Sequence, residues 1–398
     1  MSFLYRLQNP IQNYAWGSYE ALAELRGVAT PTPLPEAEIW MGAHPLAPSR
    51  IENGRGSLLD LIAADPTATL GAHTAAEFGR LPFLLKLLAA REPLSLQAHP
   101  SEQQARAGYA RDEAAGIPLE ARTRTYKDPH HKPELIAALT PFTALVGFRA
   151  PNMTARLFAA LGIPALAPTV ALLERSAPES ALRQLFQLVT SSPPEIRQEL
   201  ARATLAACAN PPNGAHDFAR ELAWGARIGA LYPGDAGILL ALALNLVVLA
   251  PGEALYLPAG NLHAYLEGTG VEVMASSDNV LRGGLTPKHI DVNELLNVLD
   301  FRAEAVALVP TEHQNGVTRY VTPAREFELS RLEPAGGALN ISVAGPEIVV
   351  VTQGSVEIRR GAERVTLACG ESVFVTAAGG EYSVSGNGRL FRAGVNAT

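Results

Sequence analysis

Nine histidines are spread along the 398 residues, and the chemistry open to the chain depends on which of them can meet oxygen ligands. Gln97 and His99 stand two apart in Leu94-Ser-Leu-Gln-Ala-His, a stretch that alternates with period two. On a strand both side chains leave one face with their roots ~7 Å apart, so an amide oxygen and an imidazole can converge on one ion. A packed, hydrogen-bonded histidine fits the same spacing. Glu134 closes the polar stretch Tyr126-Lys-Asp-Pro-His-His-Lys-Pro-Glu-Leu, which runs straight into apolar sequence and is either a solvated loop or a partly buried one. His263 follows the strand-like residues 254–258 through Ala-Gly-Asn-Leu. Barrel metal sites present ligands from such turns, and surface histidines occupy them too. Together Gln97, His99, Glu134 and His263 offer two nitrogens and two oxygens, a set suited to Zn²⁺ with open positions and acceptable to Mn, Fe(II) or Co. The absence of cysteine from the set excludes a thiolate-rich structural zinc site.

The charges narrow the ligand class. Of 32 basic residues only Lys86, Lys127, Lys132 and Lys288 are lysines, and the net charge is −7. An acidic chain of this kind is not a general nucleic-acid binder resting on phosphate neutralisation. No Gly-rich phosphate loop of the Walker or Rossmann kind is present, which argues against ATP and NAD chemistry. Glu272, in the alternating Val271-Glu-Val-Met, points inward if its neighbours point outward; an ion pair with a nearby Arg is the alternative.

These residues need a framework. The length suggests two or three domains, and 47% hydrophobic with 18% charged residues excludes a disordered chain. Two cysteines outside any CxxC pair, and a start without a charged region followed by an apolar core, give the expectation of a soluble cytoplasmic protein without membrane association. The uncharged run between Asp235 and Glu253 divides into a buried helix end and a strand. Residues 1–60 read as irregular structure with strands, 81–88 as a strand, and 101–115 as a helix with an N-cap signal at Ser101. Residues 151–235 carry the spacing of about four to six helices, and strands return after Pro251.

Sliding the chain by 118 positions aligns Gly252-Glu-Ala-Leu-Tyr-Leu-Pro-Ala-Gly with Gly370-Glu-Ser-Val-Phe-Val-Thr-Ala-Ala. The match suits a β-barrel or jelly roll built twice, with chance similarity of short words as the alternative. His263 then falls opposite Glu381, so the first copy carries a site and the second is structural. The expected fold is mainly β with an α-helical insert. A discontinuous catalytic domain takes residues 1–150 and 236–310, the insert 151–235, and a C-terminal jelly roll without a metal site 311–398.

Six stretches, in order along the chain, give it a resemblance to the type I mannose-6-phosphate isomerase (phosphomannose isomerase) family. They are Gln12-Asn-Tyr-Ala-Trp-Gly-Ser, Ala37-Glu-Ile-Trp-Met-Gly-Ala-His-Pro, Leu94-Ser-Leu-Gln-Ala-His-Pro, the 126–135 stretch above, Pro258-Ala-Gly-Asn-Leu-His-Ala-Tyr-Leu and Ser277-Asp-Asn-Val-Leu-Arg-Gly-Gly-Leu-Thr-Pro-Lys. His130 and Ser276 stand where the family commonly has Asn. The resemblance implies cupin barrels, one Zn²⁺ per chain held by Gln97, His99, Glu134 and His263, and a pocket formed by Trp16, Glu38, Lys86, Ser95, Lys132, Tyr265, Glu272, Asp278 and Arg282. It also implies interconversion of D-mannose 6-phosphate and D-fructose 6-phosphate; a monomer is the separate expectation for the chain.

Such a reaction moves a proton from C2 to C1 through a cis-enediol. Arg282, with a permanent charge and a planar fork, suits the enediolate. Glu272, Asp278, His131 and Lys132 remain rival bases, and Lys86, Lys132 and Ser95 are the candidates for the phosphate. Lys127 is expected in a structural contact and Lys288 at the pocket rim. A metal-dependent cupin oxygenase and a non-catalytic sugar-phosphate-binding cupin are the competing readings.

Overall fold

Thirteen residues, His263–Ala275, form one continuous strand that organises the first half of the molecule. In a computed structural model, which describes residues 2–396 apart from 55, 213, 335 and 379, this strand starts at His263 itself, not after it. Its first part pairs with Leu96–Ala98 and Phe142–Phe148, and its second part with Phe83–Ala90 and Glu134–Ala138, all antiparallel. The change of partners falls at a register shift between Tyr265 and Glu267, followed by Gly268 at φ +130°. A Cβ there would lie 2.8 Å from the Phe142 backbone, so the corner needs glycine.

The bulge sorts the side chains. Ala264 and Leu266 enter a core with helical residues such as Leu182, Phe186 and Leu239, while Val271 and Val273 enter a second core shared with Ile348, Val350 and Phe374 of the C-terminal half. His263, Tyr265 and Glu272 remain for the interior between them, where Tyr265 packs with Leu88, Ile136 and Leu257. Phe83–Ala90 is buried along its whole length because its two faces serve two cores.

The helical segment is as the spacing predicts. It contains Pro151–Ala160, Ala167–Arg175, Pro178–Ser191, Pro194–Ala209 and Ala219–Leu231, with Gly237–Leu242 leading into the strand Leu244–Leu249. The uncharged run thus divides into a buried helix and a strand. Ser101 caps Glu102–Ala114 through a capping box with Gln104. Residues 1–60 hold short strands, as read, but also the helix Ala21–Leu25, and Leu58–Ala64 begins a further one. Among the described residues, two sheets of ten strands each complete the framework. Among the described residues no helix is long and apolar enough to cross a membrane.

The internal repeat has a structural counterpart. Gly252 (φ +93°) and Gly370 (φ +84°) each donate a 2.8 Å hydrogen bond, to Ala138 O and Val351 O. Glu253 and Glu371 each fold back to accept from the amide three residues earlier. The bend at Gly268 recurs 118 residues on at Gly386 (φ +119°). Register then places Glu347 opposite Val375 as Glu134 is placed opposite Leu257. The surroundings differ: the Tyr382 hydroxyl donates to Glu347 at 2.9 Å, and Arg392 stands 3.6 Å away. A guanidinium and a phenol meet this carboxylate where imidazoles meet the other.

Candidate active site

Lys132 and Glu134 are two apart at the start of Glu134–Ala138, so both project to one face, where Lys132 Nζ donates to Glu134 Oε1 at 2.6 Å. Strand pairing brings in the histidines. His263 Nε2 lies 3.3 Å from Glu134 Oε2, and His99 Nε2 lies 3.4 Å from Oε1. All three residues are buried, and their ligand atoms lie within 4.8 Å of one another. Among the described residues, His99 Nε2, His263 Nε2 and Glu134 Oε2 have no hydrogen-bond partner, although burial normally forces polar atoms to pair. Gln97 is the direct register partner of both His263 and Arg282, so it shares their face.

The other ring nitrogens fix the tautomers. His99 Nδ1 is 2.7 Å from Asn279 O and His263 Nδ1 is 3.0 Å from Asn261 O, so each Nδ1 carries the proton and each Nε2 presents a lone pair. Burial, helped by Lys132, pushes His99 down to about 4, which keeps it neutral at physiological pH. Burial alone would raise the Glu134 carboxyl, but Lys132 and the imidazoles outweigh it and hold it well below the ordinary range. An oriented donor set with Nε2 atoms turned inward around an ionised carboxylate is the arrangement that accepts a divalent cation.

Beside this group lies a second network. Lys86 Nζ is 2.9 Å from Glu272 Oε2 and 3.5 Å from Glu38 Oε1. Trp40 Nε1 donates to Glu38 at 2.6 Å and the Tyr265 hydroxyl to Glu272 at 3.0 Å. The alternative partner for Glu272, an arginine, is thereby replaced by Lys86. Burial raises the Glu272 carboxyl against the opposing pull of Lys86.

Asp278 is the candidate carboxylate left partly open, with its side chain 39% exposed and His44 Nε2 at 3.3 Å. Arg282, half-buried, forms no ion pair among the described residues, and burial pushes its guanidinium down. The Lys288 ammonium is lowered chiefly by the charge of Arg282, and that of Lys127 by burial, with Arg124 and Arg282 contributing. Trp16 is half-buried and stacks on Tyr14 at 5.7 Å. Ser95 is half-buried just before Leu96–Ala98. His131 turns elsewhere: its Nε2 is 2.6 Å from Glu326 of the C-terminal half.

Sequence reasoning passed over the residues that join these groups. Asn279 is fully buried. Its side chain accepts from Lys127 N at 2.7 Å and donates to the carbonyls of Asp128 (2.7 Å) and His130 (2.8 Å), while its own carbonyl takes the His99 proton. Asp128 in turn accepts from Ser277 Oγ and Asp278 N. Two of the quoted words, 126–135 and 277–288, are therefore complementary halves of one hydrogen-bonded lock. The only signal was that both are polar yet flanked by apolar sequence. An Asn279→Ala variant strands Lys127 N and Asp128 O, while His130 O keeps the Ser277 hydroxyl, and should lose about 2–4 kcal/mol, at ~1–3 kcal/mol per unsatisfied group, in urea unfolding.

Comparison with known proteins follows this geometry. The model of the phosphomannose isomerase type I catalytic domain matches residues 4–151. Mannose-6-phosphate isomerase of Escherichia coli (strain K12) is 39% identical over 97% of this chain and 98% of its own length. The Aspergillus fumigatus enzyme is 32% identical over 94% and 92%. A zinc-bound crystal structure of mannose 6-phosphate isomerase superposes with a TM-score of 0.90 at 38% identity, covering 99% of this chain and 100% of the other. With this similarity across nearly the whole chain, the protein belongs to the type I phosphomannose isomerase family.

Proposed function

We propose that the chain is a Zn²⁺-dependent isomerase interconverting D-mannose 6-phosphate and D-fructose 6-phosphate. The observation that carries this reading is the convergence of three buried ligand atoms from His99, Glu134 and His263, unpartnered among the described residues, near Arg282, the register partner of Gln97, which forms no ion pair among them. These three residues, with Gln97 beside them, would hold the ion. When bound, Zn²⁺ supplies Lewis-acid stabilisation of charge developing on the sugar oxygens.

The chain's own groups then divide the work. Arg282 faces the enediolate with a charge that no carboxylate among the described residues neutralises. Of the rival bases, Lys132 is engaged by Glu134, His131 by Glu326, and Glu272 by Lys86 and Tyr265. Asp278 is the carboxylate that is both open and held ionised: burial would raise it, but His44, Lys132 and Lys86 lower it. It takes the C2 proton and returns it to C1. Glu272 and Lys86 set the polarity of the wall. The pairing of Lys86 and Lys132 with carboxylates moves the phosphate towards Ser95, Lys127 and Lys288. Trp16, Tyr265 and Glu38 shape the sugar side.

The accompanying fold reading is two cupin jelly rolls, with the site in 1–150 plus 236–310, a helical insert at 151–235, and a site-free barrel at 311–398. The recurrent turns and the replacement of imidazoles by Arg392 and Tyr382 around Glu347 support it. A cytoplasmic monomer acting on a small molecule completes the picture, in keeping with two unpaired cysteines.

A coupled assay for fructose 6-phosphate formation from mannose 6-phosphate tests the function. Turnover should vanish with a strong chelator and return with Zn²⁺, while oxygen is not consumed. Arg282→Ala should lower kcat ~10²–10³-fold, the usual loss for a group that stabilises an oxyanion. Activity that survives complete metal removal, or a normal kcat in the variant, overturns the corresponding assignment.

A further inference from the structure

His44 lies in the stretch Ala37-Glu-Ile-Trp-Met-Gly-Ala-His-Pro, and the resemblance gives it no role. It is 3% exposed, unusual for a residue whose polar ring must be satisfied. Leu46 N donates to its Nδ1 at 3.3 Å, so the ring proton of the neutral imidazole sits on Nε2. That nitrogen stands 3.3 Å from Asp278 Oδ1. Trp40 meets the imidazole edge-on at 4.9 Å and holds its plane. The same Trp40 donates to Glu38, which contacts Lys86. A chain of contacts therefore runs from the Lys86–Glu272 network to Asp278.

Asp278 is held from two other sides. Its own amide donates to Asp128 Oδ2 at 2.8 Å, which fixes the backbone, and Lys132, Lys86 and Lys127 act on its charge from across the pocket. Tyr14 faces it as well. Of these groups, His44 alone comes within ion-pair distance of the Asp278 carboxylate. It does so from the loop three residues beyond the buried strand Glu38–Met41, whereas Lys86 and Lys132 are committed to other carboxylates.

We propose that His44 is a positioning residue for the isomerisation: it engages one oxygen of the Asp278 carboxylate, so that the other faces the sugar ionised and in a fixed direction. This rests on the reading of Asp278 as the proton-carrying group. His44 does not touch the sugar. Its contribution is to the charge state and aim of Asp278, in the way a carboxylate orients an imidazole in a hydrolytic triad, with the roles exchanged.

The test uses the zinc-loaded full-length enzyme. His44→Phe keeps a ring against Trp40 and removes the donor. Its kcat should fall about tenfold or more, with KM for mannose 6-phosphate changed less than twofold, and the acid limb of the kcat–pH profile should move to higher pH as Asp278 becomes easier to protonate. His44→Gln, which can still present an N–H near the Nε2 position, should restore most of kcat and return the acid limb. Zinc content should match wild type in both. If His44→Phe does not fold, His44→Asn gives the same reading, because its shorter side chain can still accept from Leu46 N but withdraws from Asp278. Unchanged kcat and acid limb in whichever donor-free variant folds, or a loss confined to KM, overturn the proposal. Asp278→Asn separates the two claims. An inactive Asp278→Asn with a normal donor-free variant sinks the role of His44 alone, and a fully active Asp278→Asn sinks the reading of Asp278 and the proposal with it.

Discussion

A Glu134→Ala variant should purify without zinc and lose turnover by ~10³-fold or more, the equivalent of several kcal/mol of lost charge stabilisation. Two consequences of burial make the effect large. Glu134 is the carboxylate of the ligand group, and it is held ionised by Lys132 and the imidazoles. It is also the 2.6 Å partner of Lys132, which is 7% exposed. Removing it strands an ammonium in the interior, which costs about 3–5 kcal/mol of stability, so the variant should unfold at clearly lower urea. Glu134→Gln separates the two effects. It keeps the shape and an acceptor for Lys132, so it should recover part of the stability while zinc remains weakly bound. Metal analysis, kcat and urea midpoints on the same preparations are the measurement. A zinc-replete, active Glu134→Ala protein would show that the ion is held elsewhere.

Lys86→Met should be nearly as damaging, and in a pH-dependent way. Lys86 is buried, and although burial disfavours its charge, Glu272 and Glu38 more than restore it and hold the ammonium above its ordinary range. Without it, two buried carboxylates face each other across the space it filled. The cost is about 3–5 kcal/mol at pH 8. The sign with pH follows from Glu272, whose carboxyl burial already raises against Lys86. With Lys86 gone it rises further, so between the unfolded value near ~4.3 and the new folded value the native state holds the extra proton. Stability then falls as pH rises through that window, and the deficit relative to wild type should be largest at pH 8 and shrink towards pH 5. Urea unfolding at the two pH values reads this directly. A pH-independent deficit would mean that Glu272 is not the group left unpaired.

Several elements were legible because local physics fixes them. The helices of 151–235 carry apolar residues at helical spacing between Pro and Gly breaks. The run from Asp235 to Glu253 divides where a buried helix can hand over to a strand. The 118-residue repeat was visible because its turn needs Gly followed by a carboxylate that folds back on the chain. Other features were hidden because their partners are distant. Asn279 serves carbonyls about 150 residues away, and His44 meets Asp278 across more than 200. His131 and Lys132 are adjacent in sequence, yet one turns to Glu326 and the other to Glu134, a choice that no local pattern encodes.

By itself the sequence determined the donor types, the helical segment between two strand-rich regions, and the scarcity of cations that makes each lysine informative. It did not determine which side chains share a face. His263 and Tyr265 are at odd positions of their strand and Glu272 is at an even one, so unbroken alternation would send Glu272 to the opposite side. The register shift at Tyr265/Glu267 and the turn at Gly268 add the offset that returns it to the interior. That bulge exists because one strand must satisfy two sets of pairing partners and two cores at once, a condition set only when the whole chain is folded.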